Sequence, residues 1–130
     1  MIMLDTNVCS YIIKGLSPWA DNFLQSHDQE FCISSLVAFE LEMWGLANPP
    51  EGALCQLIAA FLEEIPIIPF GKVDAKVGAK VSAKLLADKK RIGAIDPLIA
   101  AHAIARGVVL VTNNQKDFRH VEGLSYSVNL

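Results

Sequence analysis

At 130 residues, 52% apolar and 19% charged, with a formal net charge of −3, the chain can bury a substantial core. That balance excludes a disordered tail and a broadly basic nucleic-acid binder, so any nucleic-acid contact must come from a local basic patch. No apolar run approaches the roughly 18 residues of a membrane span, and no basic segment precedes the first apolar residues, so neither an anchor nor a signal peptide is expected. Cys9, Cys32 and Cys55 lie in apolar surroundings without CxxC or Cys/His spacing. They read as three reduced, buried thiols of a cytoplasmic protein, not as a disulfide or zinc framework.

Residues 1–4 form an uncharged apolar run that meets Asp5-Thr6-Asn7 without a break. Such a run reads as a strand buried on both faces. Asp5 then stands where a parallel strand gives way to a helix, the edge at which open α/β sheets bind ligands. The plainer reading is a turn or cap aspartate. Residues 8–27 read as helical, broken by Gly15 and Ser17-Pro18, with Pro18 placed to start a second helix. Residues 31–33 form a short strand, and Ser34 or Ser35 caps a helix running to about Ala47. At 100° per residue, Leu36, Val37, Met43, Trp44 and Ala47 fall within about 60° of Glu40, which places Glu40 in the middle of an apolar stripe. A carboxylate there costs on the order of several kcal/mol unless it is paired or bound to metal. Alternatively, Glu40 sits at the edge of the stripe and reaches water.

Asn48-Pro49-Pro50 breaks the chain before a helix over 51–64, and residues 65–70 read as a short strand that their prolines confine to a sheet edge. Residues 72–91 then read as an amphipathic helix. Lys72, Lys76, Lys80 and Lys84 repeat every four residues beside Val73, Val77, Val81 and Leu85. With Lys89, Lys90 and Arg91 they make seven of the eleven basic residues. Read plainly this is a solvated face; read more sharply, Lys76, Lys80, Lys84 and Arg91 contact phosphates. Asp96-Pro97 suits the start of a helix reaching Arg106, with Gly107 as its stop. Residues 108–111 mirror the first strand and end in Thr112-Asn113-Asn114. Lys116-Asp117-Phe118 reads as a helical turn and residues 126–128 as a last edge strand. Trp19, Trp44 and Phe61 read as core, with an interface role as the alternative.

Strands alternating with helices predict an α/β, three-layer α/β/α fold in one domain, with a central twisted parallel sheet of four to five strands. The strands at 1–4 and 108–111 should be central. Asp5, Glu40, Asp96 and Asp117 then fall on one sheet edge. Clustered carboxylates repel one another unless cations neutralise them or some stay protonated. An all-oxygen donor set selects hard cations, Mg²⁺ or Mn²⁺, and the matching chemistry is metal-dependent phosphodiester hydrolysis.

The segments 4–7, 34–41, 92–103 and 111–118, in this order and spacing, resemble the PIN-domain ribonucleases, and among them the VapC toxins of bacterial VapBC toxin–antitoxin modules. The resemblance spans nearly the whole chain. It implies a PIN-like fold, a Mg²⁺ or Mn²⁺ site, cleavage of RNA and inhibition of translation. It further implies a homodimer, a cognate VapB-type antitoxin, and contact with operator DNA only through that antitoxin. Several VapC toxins cut the anticodon region of tRNA, which makes tRNA the expected substrate. Residue by residue, Asp5, Glu40 and Asp96 match the family's acidic positions. Asn114 stands where many PIN domains have an aspartate, so Asp117 is expected as the fourth acid, with Asn114, Thr6 and Thr112 in support. Three rival readings remain at this level. One is a metal-free ribonuclease using His102 or His120 as base. Another is a phosphatase with Asp5 as nucleophile, which would want an aspartate where Asn7 stands. The last is a catalytically weak PIN domain acting mainly by binding its partner.

Overall fold

The computed structural model describes residues 1–26 and 28–130. Among these, the chain runs β1 (Ile2–Leu4), α1 (Thr6–Ile13), α2 (Trp19–Gln25), β2 (Phe31–Ser34), α3 (Ser35–Leu46), α4 (Ala53–Glu64), β3 (Ile67–Ile68), α5 (Lys72–Ala87), α6 (Asp96–Arg106), β4 (Val109–Val111), α7 (Gln115–Phe118) and β5 (Tyr126–Ser127). The helical stretch expected over 8–27 begins earlier, at Thr6, and its last residue, 27, lies outside the described residues. Pro18 occupies the N-cap of α2, one place before the first helical residue. The helix expected over 72–91 ends at Ala87. None of the described helices is long and apolar enough to cross a membrane.

All strand pairs are parallel, in the order β3-β2-β1-β4-β5. The two strands expected at the centre, β1 and β4, are neighbours there. Met3, Leu4 and Leu110 are fully buried and Val111 nearly so, which is why these segments carry no polar residue. The expected edge strands are β3 and β5. Right-handed crossovers place α1–α4 on one face, because β1→β2→β3 steps one way, and α5–α7 on the other, because β3→β4→β5 steps back. The packing agrees: α1 meets α2, α3 and α4, while α5 pairs with α6. The reversal of strand order falls between β1 and β4, so the crevice at their carboxyl ends is where such a sheet takes a ligand.

Two expected burial patterns hold only in part, for physical reasons. In α3 the buried positions are Val37, Leu41 and Gly45, whereas Phe39 and Met43 are 55% exposed and Leu46 is 86% exposed. Glu40 therefore lies at the edge of the buried stripe, half-buried, not at its centre. A helix apolar nearly all round gives periodicity no face to find. In α5 the buried residues are Asp74, Gly78 and Leu85, and Val73 is 67% exposed. Gly78 is there because α6 comes close: a Cβ on it would lie 3.0 Å from Leu98 Cδ2. Cys9 and Cys32 are buried, but Cys55 is only half-buried. Trp19, Trp44 and Phe61 pack, partly buried, against the core.

Candidate functional site

Strand register builds the first half of the site. Leu4 pairs with Val111, so Asp5 and Thr112 leave adjacent strands side by side. The Asp5 N–H donates to the Val111 carbonyl at 3.1 Å, which fixes the backbone there. The Asp5 side chain caps α1, its Oδ1 accepting from the Val8 N–H at 2.9 Å, and its Oδ2 accepts from the Thr112 hydroxyl. The plain cap reading of Asp5 is thus true of one oxygen and leaves the other to the crevice. Asp5 is 4% exposed and Thr112 fully buried. Burial raises the Asp5 pKa above its ordinary value, the Thr112 and Val8 bonds oppose the rise, and the charge of Glu40 adds to it.

The other acids arrive from three helices. Glu40, in the second turn of α3, accepts through Oε1 from the Thr6 hydroxyl at 2.5 Å, which ties α3 to the first turn of α1. Asp96 is not the expected N-cap. Ile95 takes that place with no side-chain cap bond, and Asp96 is the first helical residue of α6, with Pro97 following. Its carboxyl is therefore not committed to capping. It is pushed up to about 6, first by burial and then by the charges of Asp5, Glu40 and Asp117, so all four acids share one field. Asp117, on α7, accepts from Asn114 Nδ2 at 3.1 Å, and the Asn114 N–H donates to Thr112 Oγ1 at 3.0 Å. Asn114, Thr6 and Thr112 thus each hold an acid or the turn beside one.

The acids do not form a closed cage: among the described residues no three His, Cys, Asp or Glu side chains are grouped tightly enough to hold one ion directly. The donor set still fits a hard divalent cation. It is all oxygen, burial and the neighbouring carboxylates together push Asp96 up to about 6, and Glu40 and Asp5 keep acceptor capacity beyond the bonds they make. PIN-domain nucleases in general use divalent metal ions.

Lys76, Lys80, Lys84 and Arg91 are all exposed. Lys80 and Lys84 border a cavity of about 190 Å³ with His120 and Glu122, just past α7. Arg91 borders another with Gly93 and Pro97, next to Asp96. Both cavities share Leu85, so the basic row borders a continuous stretch of surface beside the segments that carry Asp96 and Asp117. His102 is fully buried, which removes it as a base acting on a bound nucleic acid, and His120 lines a cavity with Lys80, Lys84 and Glu122.

One polar group escaped the sequence reading. Ser34, His102 and Asp74 are each at most 1% exposed and form a chain across three elements. His102 Nδ1 lies 2.8 Å from Ser34 Oγ, His102 Nε2 lies 3.7 Å from Asp74 Oδ2, and Asp74 Oδ2 accepts from the Gly71 N–H at 2.7 Å and from Arg106 at 3.2 Å. The signal was available as a histidine and an aspartate on the apolar faces of two consecutive helices.

The sequence pattern of the PIN domain family matches residues 2–124. The tRNA(fMet)-specific endonuclease VapC of Shigella flexneri is 32% identical over 124 residues, covering 94% of this chain and 92% of that protein. Ribonuclease VapC1 of Rickettsia felis is 39% identical over 129 residues, covering 95% and 92%. Among solved structures, a chain of VapBC2 from Rickettsia felis, bound to a DNA fragment from its promoter, superposes with a TM-score of 0.88 at 32% identity, covering 98% of both chains.

Proposed function

The chain belongs to the PIN-domain family and, within it, to the VapC ribonucleases, the toxin halves of VapBC toxin–antitoxin modules; from that premise we propose that it is a Mg²⁺- or Mn²⁺-dependent endoribonuclease centred on Asp5, Glu40, Asp96 and Asp117. The observation that carries this reading is that Asp96, raised to about 6 first by its burial, also feels the charges of Asp5, Glu40 and Asp117, a shared repulsion that a cation would relieve. The whole chain acts as one catalytic domain in the cytoplasm. Its substrate is tRNA, cut in the anticodon region, which inhibits translation. Cutting of tRNA is supported by the relative described as tRNA(fMet)-specific. It works as a homodimer, held inactive by a VapB-type antitoxin through which it meets operator DNA. The VapBC neighbour bound to promoter DNA supports that partner.

Asp5, Glu40 and Asp96 would hold the ion, directly or through water, and Asp117 would help place a second ion or a water. When bound, the ion polarises the phosphodiester and lowers the pKa of a water enough for in-line attack. The Thr112 and Val8 bonds keep Asp5 aimed despite its burial, and the Thr6 bond does the same for Glu40. Asp96 gives up its proton as the site fills, so binding is favoured as pH rises through about 6. Asn114, the N-cap of α7, holds Asp117 within the same turn. The lysine row and Arg91 hold the RNA backbone, and the substrate is a single-stranded loop with splayed bases. Products carry a 5′-phosphate and a 3′-hydroxyl.

The test is cleavage of total tRNA by antitoxin-free protein in Mg²⁺, in Mn²⁺ and in EDTA, beside Asp5→Asn. Asparagine caps helices as well as aspartate, so the fold survives the change. Activity should fall on the order of 10²–10⁴-fold in the variant and vanish in EDTA. Cleavage that withstands both, or products with cyclic phosphates, would overturn the four-acid reading.

A further inference from the structure

The buried Ser34–His102–Asp74 chain is not touched by the chemistry above, yet it sits where two of the acid-bearing helices meet. Ser34 is the N-cap of α3, its Oγ accepting from the Leu36 N–H at 3.1 Å. Glu40 stands six residues further on, about 9 Å along that helix. His102 lies on α6, and Asp96 stands six residues before it, again about 9 Å of helix. The 2.8 Å contact between Ser34 Oγ and His102 Nδ1 is therefore a pivot from which two rigid arms run to Glu40 and to Asp96.

Hydrogen-bond polarity says how the pivot is locked. Ser34 Oγ already accepts from Leu36, so its hydroxyl proton is free to donate to His102 Nδ1. His102 then carries its proton on Nε2, which faces the Asp74 carboxylate. Asp74 in turn is fixed by the Gly71 N–H and by Arg106. The Phe70 ring packs edge-on against the imidazole at 5.3 Å, and the Phe70 N–H donates to Ser35 Oγ at 3.0 Å, one residue into α3. His102 Nε2 and Asp74 Oδ1 are buried without hydrogen-bond partners. A core that only needed filling would hold an apolar residue at both places at lower cost.

We propose that His102 is a positioning residue: through Ser34 it sets the separation of Glu40 and Asp96, and so the geometry of the cation site. The inference rests on the nuclease reading of that site. Loss of a group that orients metal-binding side chains lowers metal affinity or turnover on the order of 10–100-fold, and a 1 Å displacement of a reacting group costs on the order of a hundredfold.

Two substitutions split the histidine into its halves. Asparagine in His102→Asn puts an acceptor where Nδ1 was and keeps the Ser34 arm; glutamine in His102→Gln reaches the place of Nε2 and keeps only the Asp74 arm. The experiment measures thermal unfolding, Mn²⁺ affinity by titration calorimetry, and kcat and KM on total tRNA. It compares the full antitoxin-free chain with His102→Asn, His102→Gln, Ser34→Ala and the Asp5→Asn control. All three network variants should melt at lower temperature. His102→Gln and Ser34→Ala should lose on the order of 10–100-fold in kcat and in Mn²⁺ affinity with KM for tRNA held, while His102→Asn stays within about threefold of the parent on both counts. If His102→Gln does not fold, Ser34→Ala carries the same comparison. Should His102→Gln and Ser34→Ala keep their Mn²⁺ affinity and turnover, or should His102→Asn fall as far as they do, the network is structural only and the proposal is wrong. Should Asp5→Asn also cleave at the parental rate, it is the nuclease reading that has failed.

Discussion

Replacing Asp96 by asparagine should make the metal-free protein more stable while removing its activity. In the folded chain this carboxyl titrates at about 6, against an ordinary 3.8, because it is partly buried and faces Asp5, Glu40 and Asp117. At 1.36 kcal/mol per pH unit, holding it ionised above pH 6 costs the fold about 3 kcal/mol. The group is half-exposed and solvent screens it, so about 1–2 kcal/mol is the working figure. A raised folded pKa means that the folded chain binds more protons than the unfolded one between about pH 4 and pH 6. Parental stability therefore falls as pH rises through that window and is level above it. An uncharged amide at this position carries no such penalty. In EDTA at pH 8 the Asp96→Asn variant should melt about 4–8 °C higher, at roughly 4 °C per kcal/mol for a chain of this size. The advantage should fade to nothing by pH 4. Divalent cation should raise the melting temperature of the parent and do little for the variant. The assay is thermal unfolding in chelator across pH 4–8, repeated in Mn²⁺. A variant no more stable at pH 8, or equally favoured at pH 4, would refute the claim that repulsion among the four acids acts on Asp96.

Thr112→Val removes the hydroxyl that donates to Asp5 and accepts from the Asn114 N–H, and should cost about 1–3 kcal/mol in a urea titration. Because that bond opposes the raised Asp5 pKa, its loss raises it further, so the acid limb of the pH–activity profile should move to higher pH; an unmoved limb would detach Asp5 from that limb. Changing Lys76, Lys80, Lys84 and Arg91 to glutamine should raise KM for RNA far more than it lowers turnover. The slope of log affinity against log salt should shrink by roughly 0.7 for each phosphate no longer neutralised. Lys84 already pairs with Asp88 at 3.4 Å, so it should contribute least, and an unchanged slope would remove the row from the RNA path.

What could be seen in the sequence followed from how strongly each segment constrained its own surroundings. The central strands were legible because a strand buried on both faces tolerates no polar residue, and Met3, Leu4, Leu110 and Val111 show none. The level of Asp5 and of the 112–117 turn followed at once, since each begins where an apolar run stops. Glu40 was placed on the right helix but in the wrong part of it, because Phe39, Met43 and Leu46 are apolar and yet exposed. Asp96 looked like a cap because Asp-Pro so often is one; only the backbone at Ile95 shows otherwise. Asp74 was missed for a different reason. Its one local partner is the Gly71 N–H; Arg106 and His102 are brought to it by the return of α6 against α5, so only its place on the apolar face of its helix could have signalled it.

Thr112 and Asp5 touch across 107 positions of chain. During synthesis, a nascent chain that has emerged only as far as α6 already displays Asp5, Glu40 and Asp96, but nothing yet occupies the second side of β1. Asp5 then lacks the Val111 carbonyl that fixes its backbone and the hydroxyl that aims its carboxylate. The pairing that supplies both closes a loop spanning most of the chain, and such contacts form late. A ribosome can therefore make most of this chain before Asp5 is aimed, and a chain broken off before β4 never acquires the two bonds that aim it.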